Sequence, residues 1–316
     1  MSFFQPASGT VLSHDIADYP DGIVLPIDKP YRWTSADVIR KVKFAAFRHF
    51  RKKNLKVGHA GTLDPLATGV LLVCLGPACK RAQEFQDHDK EYVAGIRFGA
   101  TTPSYDLEKE VDRTFPYDQV TEEAVRAVLP SFLGPQEQVA PLFSAKSVDG
   151  VRAYEMARKL YRNAQKGIQD PDFDAAALET LHRSRITISD LELLGFVDAF
   201  DAREASAETP RTNFFSPEKR SKKSCPTPDA DAACSQTNVK SASSRINVAD
   251  TSSLGLPEAK IRIACSKGTY IRAFARDLGE ALGTGAHLSG LVRTRTGDFS
   301  LTQALSLDQA LSLLAE

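Results

Sequence analysis

Gly58-His59-Ala60-Gly61-Thr62-Leu63-Asp64-Pro65-Leu66-Ala67-Thr68-Gly69 is the stretch on which the reading of this chain turns. Three glycines and a proline within a dozen residues mark a tight loop whose backbone takes angles that larger side chains resist. The loop holds one carboxylate, Asp64, and one imidazole, His59. Immediately before it, from Arg40 to Leu63, the chain carries Arg40, Lys41, Lys43, Arg48, Arg51, Lys52, Lys53 and Lys56 with no Asp or Glu. Asp64 is therefore the first acid reached after a strongly cationic approach, an arrangement able to grip a polyanion beside a single carboxylate.

Lys plus Arg (40) balance Asp plus Glu (40), so net charge selects no class of partner, whereas the distribution is informative. The basic run is offset by an acid-rich stretch from Asp106 to Glu123. Such asymmetry suits a nucleic-acid groove on a neutral protein, although a charge run is equally the look of a solvated helix face. At 316 residues the chain can bury a substantial core as one large domain or two small ones. Met1 to Pro20 lacks a basic n-region followed by an apolar h-region, and the longest apolar run, Val70 to Leu75, is too short to cross a bilayer. Cys74, Cys79, Cys225, Cys234 and Cys265 show neither a disulfide framework nor zinc-ligand spacing. The expectation is a cytoplasmic protein with reduced thiols, no membrane segment and no metal.

Outward from the loop, Ile23 to Ile27 reads as a strand closed by Asp28-Lys29-Pro30. Thr34 or Ser35 caps a helix with Val38, Ile39, Val42 and Phe47 on its apolar side. Val70 to Leu75 reads as a buried strand. Tyr92, Ala94, Ile96 and Phe98 alternate with Val93, Gly95, Arg97 and Gly99, a half-buried strand with Arg97 on the opposite face. Thr121 opens a helix with acids in its first turn. Ile186, Ile188, Leu191 and Leu193 resume apolar patterning, as do Ile261, Ile263 and Cys265. That last strand runs into Ser266-Lys267-Gly268-Thr269-Tyr270-Ile271-Arg272 and a helix with Phe274, Ala275, Leu278 and Leu282 on one face. A short apolar helix, Leu307 to Leu314, follows. Strands and helices mix without steady βαβ alternation, so the class is α+β. Residues 202–253 are rich in Ser, Thr, Ala, Asp, Asn, Lys and Pro, a composition that cannot offset its ordering entropy, and read as a disordered low-complexity insert.

Taken singly, Asp64 reads as a turn residue, His59 as a hydrogen-bonding histidine, Tyr92 as strand core and Arg272 as a helix edge. The loop is not a phosphate-binding G-x-x-x-x-G-K-[ST]. Taken together, the Gly58–Gly69 stretch resembles the catalytic motif of the TruB family of tRNA pseudouridine-55 synthases. So do Asp28-Lys29-Pro30, Lys90-Glu91-Tyr92, Arg97-Phe98-Gly99, the block from Ser144 to Arg158, Cys265 to Arg272, and Gly285 to Leu291, in the same order. The resemblance covers most of residues 22–160 and 260–316.

The resemblance implies a pseudouridine synthase fold, a central mixed, mostly antiparallel sheet flanked by helices with the active-site cleft across it. It implies a single catalytic domain from 22–201 and 254–316, with an RNA-closing loop at 143–170, an N-terminal extension at 1–21 and no C-terminal PUA-like domain. Asp64 falls on the essential aspartate, Tyr92 on the active-site tyrosine and Arg272 on the arginine paired with the aspartate. Tyr270 and Leu291 fall on residues lining the uracil pocket, His59 on the histidine at the flipped-out base, and Lys29 among the substrate-binding positions. The implied activity is isomerisation of a tRNA uridine, position 55 in the T-arm loop, by a monomer without cofactor or metal. Alternatives are a vestigial RNA-binding or RNA-folding factor, or the same chemistry on another RNA. Two departures stand out: Lys146 directly follows Ala145 where the family places its lysine one position later, and Pro103 occupies a usual acid position although Asp106 remains.

Overall fold

Apolar periodicity is converted into structure most directly in the first two elements. The computed structural model describes residues 3–7, 9–141, 147–148, 151–152, 183–199, 246 and 248–315. Strand β1 (Ile23–Lys29) is buried almost throughout. Helix α1 (Ser35–His49) starts at Thr34, whose side chain accepts from the Asp37 amide while Asp37 reaches back in a capping box. Its Val38, Val42 and Ala46, four residues apart, face the core. There follow β2 (Val57–Ala60), β3 (Ala67–Leu75), α2 (Ala82–Asp87), β4 (Lys90–Phe98), β5 (Ala100–Thr101), β6 (Arg113–Thr114), α3 (Glu122–Val128) and β7 (Gly134–Val139). Beyond these lie β8 (Ser147–Val148), β9 (Val151–Arg152), β10 (Arg183–Val197), β11 (Glu258–Cys265) and α4 (Ile271–Ala281). The chain continues through β12 (Ala286–Thr296), β13 (Phe299–Ser300), β14 (Leu305–Ser306) and α5 (Leu307–Leu313).

Ten of these strands form one sheet in the order β14-β1-β3-β12-β4-β11-β10-β7, with β13 beside β12 and β2 beside β3. Its pairings are antiparallel except β1 with β14 and β3 with β12. The α+β class and the mixed, mostly antiparallel sheet are thus as expected. Leu25, Ile27, Leu71, Ile96, Ile261 and Phe274 belong to a large core under α1, α4 and α5, while Val24, Val70, Leu72, Phe85 and Phe299 form a smaller one on the other face.

The placement of β12 positions the site. It runs parallel to β3, with Leu291 opposite Ala67 and Arg293 opposite Gly69, and antiparallel to β4, with Arg293 opposite Tyr92. Gly69, at φ +99°, lies so close to β12 that a Cβ would stand 2.2 Å from the Arg293 carbonyl oxygen, so only glycine fits there.

Two local expectations change. Strand β4 is buried on both faces from Ala94 to Phe98 rather than half-buried along its length, and Arg97 lies inside, its Nε 2.9 Å from Glu258 Oε2 and its Nη1 2.7 Å from Thr251 Oγ1. The cover comes from residues 248–258. Part of this stretch, assigned by composition to the 202–253 insert, is built into the domain: Ala249 is buried and its amide donates to Leu107. Composition misses this because the segment packs through its backbone and small residues. The rest of that insert lies outside the described residues except Ile246. So does the expected RNA-closing loop, 143–170, apart from the β8–β9 ladder.

Candidate active site

The glycine-rich loop between β2 and β3 is pinned from below. Ser35, the first residue of α1, holds Leu63 twice: its hydroxyl accepts from the Leu63 amide at 3.0 Å and donates to the Leu63 carbonyl at 3.2 Å. Asp28 accepts from the Gly69 amide at 3.0 Å. The Arg293 guanidinium, 1% exposed, donates to the carbonyls of Val70 (2.7 Å), Gly61 (3.2 Å) and Thr62 (3.4 Å). Such charge-assisted bonds to backbone fix the loop without using any side chain in it.

At the exposed side of this loop stands Asp64. Arg272, in the first turn of α4, donates to it through two nitrogens, Nε to Oδ2 at 2.9 Å and Nη2 to Oδ1 at 3.1 Å. The pairing expected from the sequence is thus formed, in the bidentate geometry that orients a carboxylate most firmly. Arg272 also donates to the Ser104 carbonyl, and Asp106 Oδ2 lies 3.8 Å from its Nε. Burial opposes charge on the guanidinium, but Asp64, Asp106 and Glu108 outweigh it and raise its pKa above the ordinary value. Burial pushes the Asp106 carboxyl up, as does Asp64, against the pull of Arg272.

A cleft of about 670 Å³ opens over the pair, lined by Asp64, Tyr92, Tyr270, Arg272 and Leu291, with Lys90, Arg185 and Lys267 contributing positive charge. Asp64, Arg272 and Leu291 also border a small cavity closed by Tyr31, Leu66 and Leu288. Burial raises the pKa of the Tyr92 phenol, tempered by the nearby Arg293 guanidinium. Five of the residues singled out from the sequence therefore meet in one cleft.

Two do not. Lys29, expected to contact substrate, is fully buried beneath the loop, where its ammonium donates to the carbonyls of Pro30 (3.0 Å), Trp33 (2.5 Å) and Pro65 (3.2 Å). Its strand points it into the core, and burial pushes its pKa down to about 7 despite Asp64 nearby. Lys29 therefore supports the loop rather than touching a ligand. His59, on β2, lines neither cavity. Burial, and secondarily Arg293, lower its pKa.

Sequence reading passed over Asp106, Arg293 and Gln138 as site residues. Asp106 sat in plain view within the acidic stretch. Arg293 lies two residues beyond Leu291 on β12 and so shares its face. Gln138 is buried, and its side-chain amide clasps Tyr270, accepting from the Tyr270 amide at 2.8 Å and donating to its carbonyl at 3.1 Å. Among the described residues no group of three or more His, Cys, Asp or Glu is arranged to hold a metal, and no helix is long and apolar enough to cross a membrane.

Residues 48–197 match the family model described as TruB family pseudouridylate synthase (N terminal domain), and residues 272–315 match the tRNA pseudouridylate synthase B C-terminal domain. With this sheet and this paired carboxylate in its cleft, the molecule is a pseudouridine synthase, an enzyme that reattaches uracil to its ribose through carbon. The chain is 41% identical to tRNA pseudouridine synthase B of Phocaeicola vulgatus over 291 residues, covering 92% of each protein. It is 42% identical to the same-named protein of Bacteroides thetaiotaomicron over 288 residues, 91% of each. The Deinococcus radiodurans protein is 36% identical over 287 residues, 90% of this chain and 77% of that one. The chain belongs to the TruB family. Among solved structures, a Cbf5-Nop10-Gar1 complex contains a chain that superposes with a TM-score of 0.51 at 22% identity, a likeness of fold. The alignment covers 92% of this chain, which spans about half (54%) of that one.

Proposed function

We propose that this enzyme isomerises a uridine in the T-arm loop of tRNA, position 55, with Asp64 as the essential carboxylate. The observation that carries the reading is the bidentate Arg272–Asp64 pair at the floor of a cleft walled by Tyr92, Tyr270 and Leu291. The cleft volume falls within the range of small-molecule sites and suits one extruded nucleotide. Extrusion from a stacked RNA loop costs about a few kcal/mol, offset by stacking on aromatic rings and by backbone contacts. The reaction breaks the bond from N1 to the ribose and forms one from C5, while C5 loses a hydrogen and N1 gains one. Nothing is oxidised or reduced, so the reading calls for no cofactor or metal.

In this reading Arg272 holds the Asp64 carboxylate aimed at the sugar, where it either adds or promotes elimination through a glycal. Tyr92 lies against the base and serves proton transfer, and Leu291 and Tyr270 keep the detached uracil from escaping. His59 meets the RNA at the site of extrusion, and Lys29 steadies the Pro65 end of the loop. One chain supplies every group, consistent with a cytoplasmic monomer. The test is an unmodified T-arm stem-loop incubated with the pure protein, followed by chemical mapping of pseudouridine. The Asp64→Asn variant should bind this RNA and release no product; turnover by that variant would remove Asp64 from the reaction. Binding without product by the wild type would favour an RNA-binding factor instead.

A further inference from the structure

Helix α1 and the loop after it carry a surface that the cleft does not use. Lys41, Lys43, Arg48, Arg51, Lys52 and Lys53 are all exposed. Arg40 pairs with Asp37, but among the described residues none of these six pairs with a carboxylate. Like charges gathered without acids between them repel one another and weaken the folded state, a cost that an idle solvated face avoids by mixing signs. Aromatic rings lie among these cations. Lys43 Nζ stands 5.3 Å from the Phe47 ring and the Arg48 guanidinium 5.9 Å from the Phe44 ring, and Phe44 is 65% exposed. Beside Phe44, Arg48 and Arg51 a cavity of about 340 Å³ opens toward Leu311 and Leu314.

None of these residues lines either cavity at Asp64. The helix begins against the glycine-rich loop, at Ser35, and runs for 15 residues. At about 1.5 Å per residue its far end lies on the order of 20 Å from its start. Cations that neutralise phosphates, interleaved with an exposed ring on which a base or ribose can stack, form the recognition surface of RNA.

We infer that this face docks the phosphodiester backbone of the tRNA body outside the loop that holds the target uridine. The inference rests on the tRNA reading above and adds a second, separate contact to it. It accounts for a cationic stretch among the described residues that the reacting cleft leaves idle.

The experiment compares a full-length unmodified tRNA transcript with an isolated T-arm stem-loop, using the wild type and a Lys43→Glu/Arg48→Glu/Lys52→Glu variant whose fold is checked by circular dichroism. With the full transcript, KM should rise tenfold or more at unchanged kcat, and the slope of log affinity against log salt should fall by about two to three. With the stem-loop, both parameters should stay within twofold of wild type. The Lys43→Gln/Arg48→Gln/Lys52→Gln variant should fall between the two. Wild-type KM and salt slope on the full transcript would overturn the inference. So would equal losses on both RNAs, which would place this face on the cleft's own RNA path. Altered self-association with unchanged RNA binding would assign the face to a second copy of the chain. Filter binding of the full transcript to Asp64→Asn with and without the charge reversals reads the contact without turnover, so a wild type that converts neither RNA would overturn the functional reading and leave this measurement intact.

Discussion

Arg272 and Asp64 form an ion pair in unequal surroundings, their side chains 7% and 38% exposed. The dry partner is the one whose charge is secured by several acids, so the wetter carboxylate faces a cation at every working pH. Glu108 stands in the same field, and burial, then Asp106 and Asp64, push its pKa up from 4.5 to about 7. A group whose folded pKa exceeds its unfolded one stabilises the fold below the unfolded value and loses that contribution as pH rises through the folded value. Glu108→Gln should therefore melt with the wild type at about pH 4 and above it at about pH 8, by on the order of 2 kcal/mol. Parallel melting profiles across that window would show that Glu108 does not titrate there. At this scale, the residues that meet above Asp64 were legible through the ordered set of motifs that carry them, not through their types taken singly. Lys29 was misread and Arg293 overlooked because their partners are backbone carbonyls, which have no residue identity for a sequence to display.

Helix α4 starts at Tyr270 without a side-chain cap of its own. The Gln138 amide fills that role from strand β7, and Arg276 adds a second tie by donating to the Val139 carbonyl at 3.1 Å. Arg272 therefore owes its position to an edge strand more than a hundred residues earlier in the chain. Gln138→Ala takes the side-chain acceptor away from the Tyr270 amide, at about 1–3 kcal/mol, while the Tyr270 carbonyl keeps the Phe274 amide as its donor. Stability should fall by roughly 2 kcal/mol, and kcat should drop more than KM rises, as the start of α4 drifts from Asp64. Gln138→Glu keeps an acceptor for the Tyr270 amide but has no hydrogen to donate, and should lie between. An unchanged kcat in Gln138→Ala would mean that α4 keeps its register unaided. The elements themselves were readable wherever one periodicity dominated, as in β1, α1, β11 and α4. The burial of both faces of β4 around Arg97 was not, because the cover there comes from residues 248–258, distant in sequence and unremarkable in composition.

At the scale of the whole molecule, the described residues among the first twenty are part of the body. Leu12 and Ile16 are buried, Phe3 packs edge-on against Phe85 at 5.3 Å, and the Phe4 amide and carbonyl bond to Gly22 and Val24. Removing residues 1–21 withdraws three apolar anchors, each worth about 1.5–3 kcal/mol. The shortened protein should melt more than about 10 °C lower by differential scanning fluorimetry, and an unaltered midpoint would show the segment to be dispensable. The sheet order was not legible in the sequence. Alternating residues announce a strand but not its neighbours, and β12 enters between β3 and β4, which precede it by nearly two hundred residues. That insertion has a consequence during synthesis on the ribosome. Until β12 emerges, β3 and β4 each present an open edge, and Asp64 has no Arg272 to pair with until α4, just ahead of that strand, has been made. A nascent chain cut short before β12 is therefore sticky and inert rather than partly competent, and the cell gains working enzyme only after that strand has been made.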